Sequence, residues 1–221
     1  MKPLPMHGDT SIVEHITAGL EKVALALKRQ AWEGGRTRNL TPTQGQILIL
    51  LEERAGQPMR LNDVARALGV TAATASDAVV ALEQKQFVRK QRSTEDSRAL
   101  TLTLTSTGRR EARRSDGWSD VVRAGVHSLS LEEQTVFLRG LTKVIRSLQD
   151  QGAISTVRMC VGCSYFRPYA HVDSAKPHHC AFVDSAIGEG QLRLDCQDFI
   201  TAPEAEGARR WQEFLSGGEG R

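Results

Sequence analysis

All four cysteines of this 221-residue chain, Cys160, Cys163, Cys180 and Cys196, fall within 37 residues near its C-terminal end. Their spacing is C-x-x-C, sixteen intervening residues, C, fifteen more, C. A thiolate is a soft anionic ligand, and in a reducing compartment such a cluster points to a metal rather than to disulfides. Structural zinc usually takes two close pairs of sulfurs, each from one turn of backbone. Here only one close pair exists, and the third and fourth sulfurs arrive singly, as around iron–sulfur cubanes in which each iron takes one thiolate. The spacing leaves an iron–sulfur cluster and Zn2+ both open. His171, His178 and His179 could each replace a thiolate, but a histidine beside a ligand more often orients the site from outside it, so the four cysteines alone form the expected ligand set. Tyr165, Tyr169, Phe166, Phe182 and Phe199 share the segment. They would limit water access to a cluster or supply the small core that any metal module needs.

The rest of the chain must position this segment, and its composition bounds how. The chain is 40% hydrophobic and 25% charged, with no apolar run long enough for a membrane span. The N-terminal "MKPLPMHGDT" lacks the apolar stretch of a secretory signal, so a cytoplasmic protein without a membrane partner is expected. No flavin, nicotinamide or nucleophile–base motif occurs, so no enzyme is expected. The net charge of +3 is uneven: residues 1–150 carry +5 and residues 151–221 carry −2. Between Lys85 and Arg114 nine basic residues face three acids, a density that suggests a polyanion partner and equally suits a solvated charged face.

Apolar periodicity separates those two possibilities. Ile12, Ile16, Leu20, Val23 and Leu27 predict a long first helix ended by Gly34 and Gly35. Thr41 as N-cap with Pro42 behind it starts a second helix, with Ile47, Leu48, Leu50 and Leu51 on its apolar face. A short helix through Leu61, Val64, Ala65 and Leu68 stops at Gly69 and restarts at Thr71, which is a helix-turn-helix. Its second helix would bury Ala75, Ala78, Val79 and Leu82. Thr71, Ala72, Ala73, Thr74, Ser76 and Asp77 are then left for a DNA major groove, where small side chains allow close approach, Ser can bond either base edge and Asp can accept from cytosine. "FVRKQRSTEDSRALTLTLT" predicts a basic β-hairpin, a wing that can lay Arg89, Lys90, Arg92 and Arg98 along the backbone or into the minor groove. Thr105 caps a further helix expected to run through Trp118 to Val126, and Ser130 with Glu133 forms a capping box for a last long helix.

"LTPTQGQILILL", "LNDVARALGVTAATASDAVVALEQKQFVRK" and "EDSRALTLTLTSTGRR", in this order and between flanking helices, resemble the MarR family of bacterial transcriptional regulators over about residues 10–150. The resemblance implies a homodimer with interlocked first and last helices, and two recognition helices on a pseudo-palindromic double-stranded DNA operator, most simply as a repressor. It also implies that Arg98 enters the minor groove with Asp96 steadying it. Two positions depart from the family: Gln86 stands where Gly is usual, and Asp77 where a basic residue is common.

"CVGCSYF", "HHC" and "DCQDF" are similar to the pattern of the small cluster-binding subunits of glycyl-radical enzymes, which resemble high-potential iron proteins and hold a 4Fe-4S cluster through four cysteines. The expected architecture is mainly α with a small β-wing: a winged helix-turn-helix dimer over residues 1–152, a loop-rich four-cysteine module over 153–200, and a short docking helix capped by Thr201, with a frayed end, over 201–221. The expected function is DNA binding coupled to that metal site. The alternatives are a static zinc brace in a regulator that answers to a small ligand, and a redox protein.

Overall fold

The computed structural model describes residues 11–54, 57–92, 100–115 and 120–217. Helix α1 (Ile12–Arg38) opens with a Ser11–Glu14 capping box. It does not stop at Gly34 and Gly35 but ends at Asn39, which takes the left-handed conformation at φ 56°. Glycine inside a helix costs only about 1 kcal/mol, and here Gly35 is buried, so packing outweighs propensity. Helix α2 (Pro42–Glu53) starts as expected, with the Thr41 hydroxyl accepting from Gln44 N.

Strand β1 (Met59–Arg60) leads into α3 (Leu61–Leu68) and α4 (Ala72–Gln84), followed by β2 (Val88–Arg92) and β3 (Leu100–Leu104). The three strands form an antiparallel sheet in the order β1–β3–β2, with Met59 opposite Leu102 and Val88 opposite Leu104. The two-residue β1 was not foreseen, because a dipeptide has no measurable periodicity. One core joins Ile47, Leu48 and Leu51 of α2, Val64 of α3, Val79 and Leu82 of α4, and Val88 and Leu102 of the sheet.

The helix expected from Thr105 to Val126 is described as two segments, α5 (Ser106–Ser115) and α6 (Asp120–His127). Trp118 lies outside the described residues. Helix α7 (Leu131–Asp150) carries the expected Ser130–Glu133 box. It buries only Thr142 fully, while Leu131, Val136, Phe137 and Val144 stay exposed, as do Ile12, Val13 and Ile16 on α1.

A second core follows α7. Strands β4 (Phe166–Arg167), β5 (His178–Cys180) and β6 (Ser185–Ile187) form a small antiparallel sheet. It packs with Met159, Val161, Leu192 and Phe214, with Ile145 of α7 against them. Phe214 belongs to α8 (Glu204–Leu215), which is therefore part of this core. Thr201 does not cap that helix: Pro203 is the N-cap, and Thr201 pairs instead with Cys163 in an antiparallel bridge. No single helix among the described residues is long and apolar enough to cross a membrane.

Candidate nucleic-acid interface and metal centre

The helix-turn-helix is set by one left-handed residue. Gly69 at φ 64° and ψ 29° ends α3, its N–H directed to the carbonyls of Ala65 and Arg66, and Thr71 then starts α4 by accepting from Thr74 N at 3.1 Å. The chain turns by 113° between the two helices, within the ~90–120° such pairs adopt. Ala75, Ala78, Val79 and Leu82 are buried as expected. Thr71, Ala72, Ala73, Thr74 and Asp77 are exposed together at the start of α4, with Ser76 half-buried beside them.

The wing is anchored to that helix by a strained turn. Gln86 adopts φ 60°, so the position where a glycine was expected does take a glycine-like conformation. The Thr105 hydroxyl closes the turn by donating to the Gln86 carbonyl at 2.7 Å and accepts from Gly108 N at 2.9 Å. Gly108 is required there: a Cβ at this position would sit 1.9 Å from the Phe87 carbonyl oxygen. In the register Arg89 lies opposite Thr103, and it is exposed with Arg92 at the strand's end. Lys90 is turned back toward α4, with Nζ 3.1 Å from Glu83 Oε2. Its charge is thereby shared with α4. Asp96 and Arg98 lie outside the described residues.

The four cysteines, 36 positions apart from first to last, line a single cavity of about 150 Å3 together with Tyr165, Phe182, Ile187 and Arg193. Three pieces of backbone deliver the four sulfurs. A 3-10 turn over Cys160–Gly162, closed by Cys163 N donating to Cys160 O at 2.9 Å, presents the first two. Pairing of β4 with β5 places Cys180 opposite Phe166. A strap over residues 193–198 brings the fourth, with Cys196 N donating to Arg158 O at 3.0 Å and the Arg158 guanidinium gripping Asp195 at 2.6 and 2.7 Å. Arg193 donates from its backbone N–H to Cys160 Sγ at 3.2 Å and from Nη1 toward Cys196 Sγ at 3.8 Å. Burial pushes the Cys160 thiol up, the Arg193 amide opposes this, and the neighbouring Cys196, Cys163 and Cys180 add to it. Among the described residues no three His, Cys, Asp or Glu side chains are placed to hold one metal ion.

Several residues hold this cavity that periodicity and motif did not single out. Arg210, almost wholly buried, donates from Nη1 to the carbonyls of Cys163 and Ser164 at 3.0 and 2.9 Å and pairs with Glu206, fixing the C-x-x-C turn to α8. Arg139 of α7 donates to the Tyr169 hydroxyl at 2.7 Å, to the Phe214 carbonyl at 2.9 Å and to Glu189, with its guanidinium 4.8 Å over the Phe214 ring. Fully buried His178 accepts from Tyr169 N at Nδ1, 3.1 Å away, which leaves Nε2 facing Glu189 Oε1 at 3.3 Å, off the line of a hydrogen bond. Of the other histidines, His171 Nε2 and His179 Nδ1 are 3.2 Å apart and away from the sulfurs' cavity. Phe166 and Phe199 belong to the second core, whereas Phe182 is half exposed at the cavity wall. No local sequence signal marks Arg139 or Arg210, because the hydroxyl and carbonyls they hold lie 30 to 75 and 46 to 47 positions away.

Residues 40–100 match the family model described as the MarR family. Among solved structures, MepR of S. aureus in its DNA-binding conformation is 25% identical with a TM-score of 0.55, over 60% of this chain and 98% of that one. A MepR–DNA complex is 24% identical with a TM-score of 0.53, over 63% and 100%. AbsC, a MarR family transcriptional regulator from Streptomyces coelicolor, is 23% identical with a TM-score of 0.54, over 65% and 99%. No curated protein sequence matches the chain significantly. The structures are covered almost end to end while roughly two fifths of this chain has no counterpart in MepR. Residues 40–100 match the MarR family, and the winged helix that contains them has the MarR fold.

Proposed function

We propose that this chain is a dimeric, DNA-binding transcription regulator whose C-terminal four-cysteine module holds an iron–sulfur cluster, 4Fe-4S, and that loading of the module alters DNA affinity. The observation that carries the metal part is the convergence of four sulfurs, from three separate backbone segments, on one cavity of about 150 Å3. That space exceeds severalfold the ~10–15 Å3 that holds one water on the same measure. A single zinc would draw its four sulfurs to ~2.3 Å, whereas a cubane takes each sulfur on a different iron. The donor set is all cysteine, flanked by Tyr165, Phe166, Phe182, Val183 and Ile187 with Arg193 beside it, which suits a multi-atom iron–sulfur group. When bound, that group supplies an oxidisable centre and the ordering energy of its iron–thiolate bonds.

DNA binding is supported by the exposed start of α4, the exposed Arg89 and Arg92, and the likeness to MepR in its DNA-binding conformation. Dimerisation is supported by the exposed apolar residues at the start of α1 and along α7, which a second copy would cover. Residues 1–152 form the winged-helix and dimer unit in this scheme, 153–200 the cysteine module, and 201–221 its closing helix. No reaction chemistry is assigned to the chain.

The test starts with protein purified without oxygen. Broad visible iron–thiolate absorption, with iron and acid-labile sulfide in equal amounts, is expected, and Cys160→Ser, Cys163→Ser, Cys180→Ser and Cys196→Ser should each abolish most of it. A colourless protein carrying zinc would replace the cluster by a brace, and metal retained by all four variants would refute the four-cysteine site. Duplexes selected by the loaded protein from a random pool should then bind loaded and metal-free protein with affinities differing by about 5- to 150-fold at fixed salt. Equal affinities would remove the regulatory role.

A further inference from the structure

The strap that delivers Cys196 also touches the DNA-binding unit. Gln197, the next residue, donates from Nε2 to the carbonyl oxygen of Glu53 at 3.2 Å. Glu53 is the last residue of α2, and the last carbonyls of any helix have no partner within the helix itself. Gln197 therefore supplies, from 144 positions away, part of the satisfaction that the end of α2 requires. That end is a junction. Glu52 accepts from Arg113 Nε of α5 at 2.9 Å, and Leu51, one residue earlier, is buried in the core that also holds Val79 and Leu82 of α4. A change at the end of α2 thus meets both α5 and the inner face of the helix whose outer face is offered to DNA.

We propose that Gln197 couples ligation of Cys196 to the last turn of α2, and through it to the placement of α4. The inference rests on the four-cysteine metal site proposed above. With Cys196 held in the cavity, the strap is fixed at both sides by Arg158 and Arg193, and Gln197 is kept on the Glu53 carbonyl. With Cys196 unligated, the strap keeps only its Arg158 and Arg193 contacts, and the hold of the Gln197 amide on the Glu53 carbonyl is weakened. Gln197 is exposed, so its role is positioning rather than packing, and removing its amide leaves both cores intact.

The experiment compares the full chain and its Gln197→Ala and Gln197→Glu variants, each with metal in place and after removal by a chelator. Hydrogen exchange is followed at the amides of Leu50 to Arg54, and metal content and visible absorption are read on the same samples. In the wild type, loading should slow exchange there by roughly fivefold or more, the lower end of ordinary coupling between sites. Both variants should keep the metal and lose that difference, because neither alanine nor a carboxylate can donate to the carbonyl. If the variants keep the difference, or the loaded wild type shows none, the coupling is overturned while the metal site stands. If the variants lose the metal, Gln197 belongs to the site itself and the coupling role is overturned. If the wild type takes up no metal, the site proposal falls and the coupling falls with it.

Discussion

Replacing Arg139 by alanine should loosen the cysteine module while leaving the winged helix in place. The Arg139 side chain bridges α7 to three parts of the module at once: the Tyr169 hydroxyl at 2.7 Å, the Phe214 carbonyl at 2.9 Å, and Glu189. The pair is well shielded, with side-chain exposures of 26% for Arg139 and 17% for Glu189. Removing one partner of a buried pair costs ~3–5 kcal/mol, chiefly because the other charge is left behind. Partial exposure places this case at the lower end, about 3 kcal/mol, which corresponds to roughly a hundredfold at ~1.4 kcal/mol per decade. Amide exchange at residues 159–192 should accelerate by about that factor, and at residues 47–82 it should not. Arg139→Lys should recover only part of the loss, since an ammonium cannot bridge three acceptors with a planar fork.

The same network sets an acid limit. Burial opposes ionisation of Glu189, but the His178 imidazole, Arg139 and the Tyr169 hydroxyl outweigh it and hold the carboxyl below its ordinary value. A carboxyl with a folded value below its unfolded one stabilises the folded state above the ordinary carboxylate range, and that contribution disappears as pH falls through the depressed value. Protection against exchange in the module, taken relative to the intrinsic rate at each pH, should therefore fall on acidification, and the fall should be smaller in Arg139→Ala. Unchanged module exchange in Arg139→Ala, or equal acceleration in both cores, would refute the assignment of Arg139 as the anchor.

Three other changes probe the DNA-binding unit. Gly108→Ala forces a Cβ to within 1.9 Å of the Phe87 carbonyl oxygen; a loss of about 1–3 kcal/mol is expected in denaturant unfolding, and a neutral result would mean that the turn between α4 and β2 is not closed on α5 as described. Gln86→Gly relieves a side chain at φ 60°, worth ~1–2 kcal/mol, against ~0.5–1 kcal/mol of added chain entropy; a net gain of up to about 1.5 kcal/mol should show as a raised denaturation midpoint. Arg89→Ala should weaken binding to all duplexes and lower the slope of log affinity against log salt by about 1; an unchanged slope would take Arg89 out of the interface.

Much of the winged helix is legible in the sequence because its signals are local. Gly69 followed by Thr71 gives a stop and a cap two residues apart, and both act as expected. The alternation in "ALTLTLT" matches β3, and the Ser130–Glu133 box marks the start of α7. The misreadings are places where packing overrides a local rule. Gly34 and Gly35 look like a helix stop, yet α1 continues for another turn and is ended by Asn39. Thr201 followed by Glu204 looks like a cap and its partner, yet the hydroxyl residue is drawn into pairing with Cys163 and the helix begins after Pro203.

The cysteine module is legible only as a list of ligands, because its geometry is assembled by contacts far apart in the chain. Cysteine spacing identifies which sulfurs belong together; it is silent on Arg210 holding the Cys163 carbonyl from 47 positions away, or Arg158 and Asp195 closing the strap across 37. The consequence lies in α7. Its apolar residues divide between two neighbours: Ile145 meets the second core, while Val136, Phe137 and Val144 remain exposed and available to a second copy of the chain. Helical periodicity records that such a helix is amphipathic, but not that its charged side contains Arg139, which faces inward onto Glu189 and Phe214. A helix gripped on one side by the module and offering its other side to a partner copy cannot shift against one without shifting against the other, since packed helices move as rigid elements. In the proposed dimer, ordering of the four-cysteine cavity would therefore have two routes to the proposed recognition helices: through Gln197 to the end of α2 within one subunit, and through α7 to the spacing between subunits.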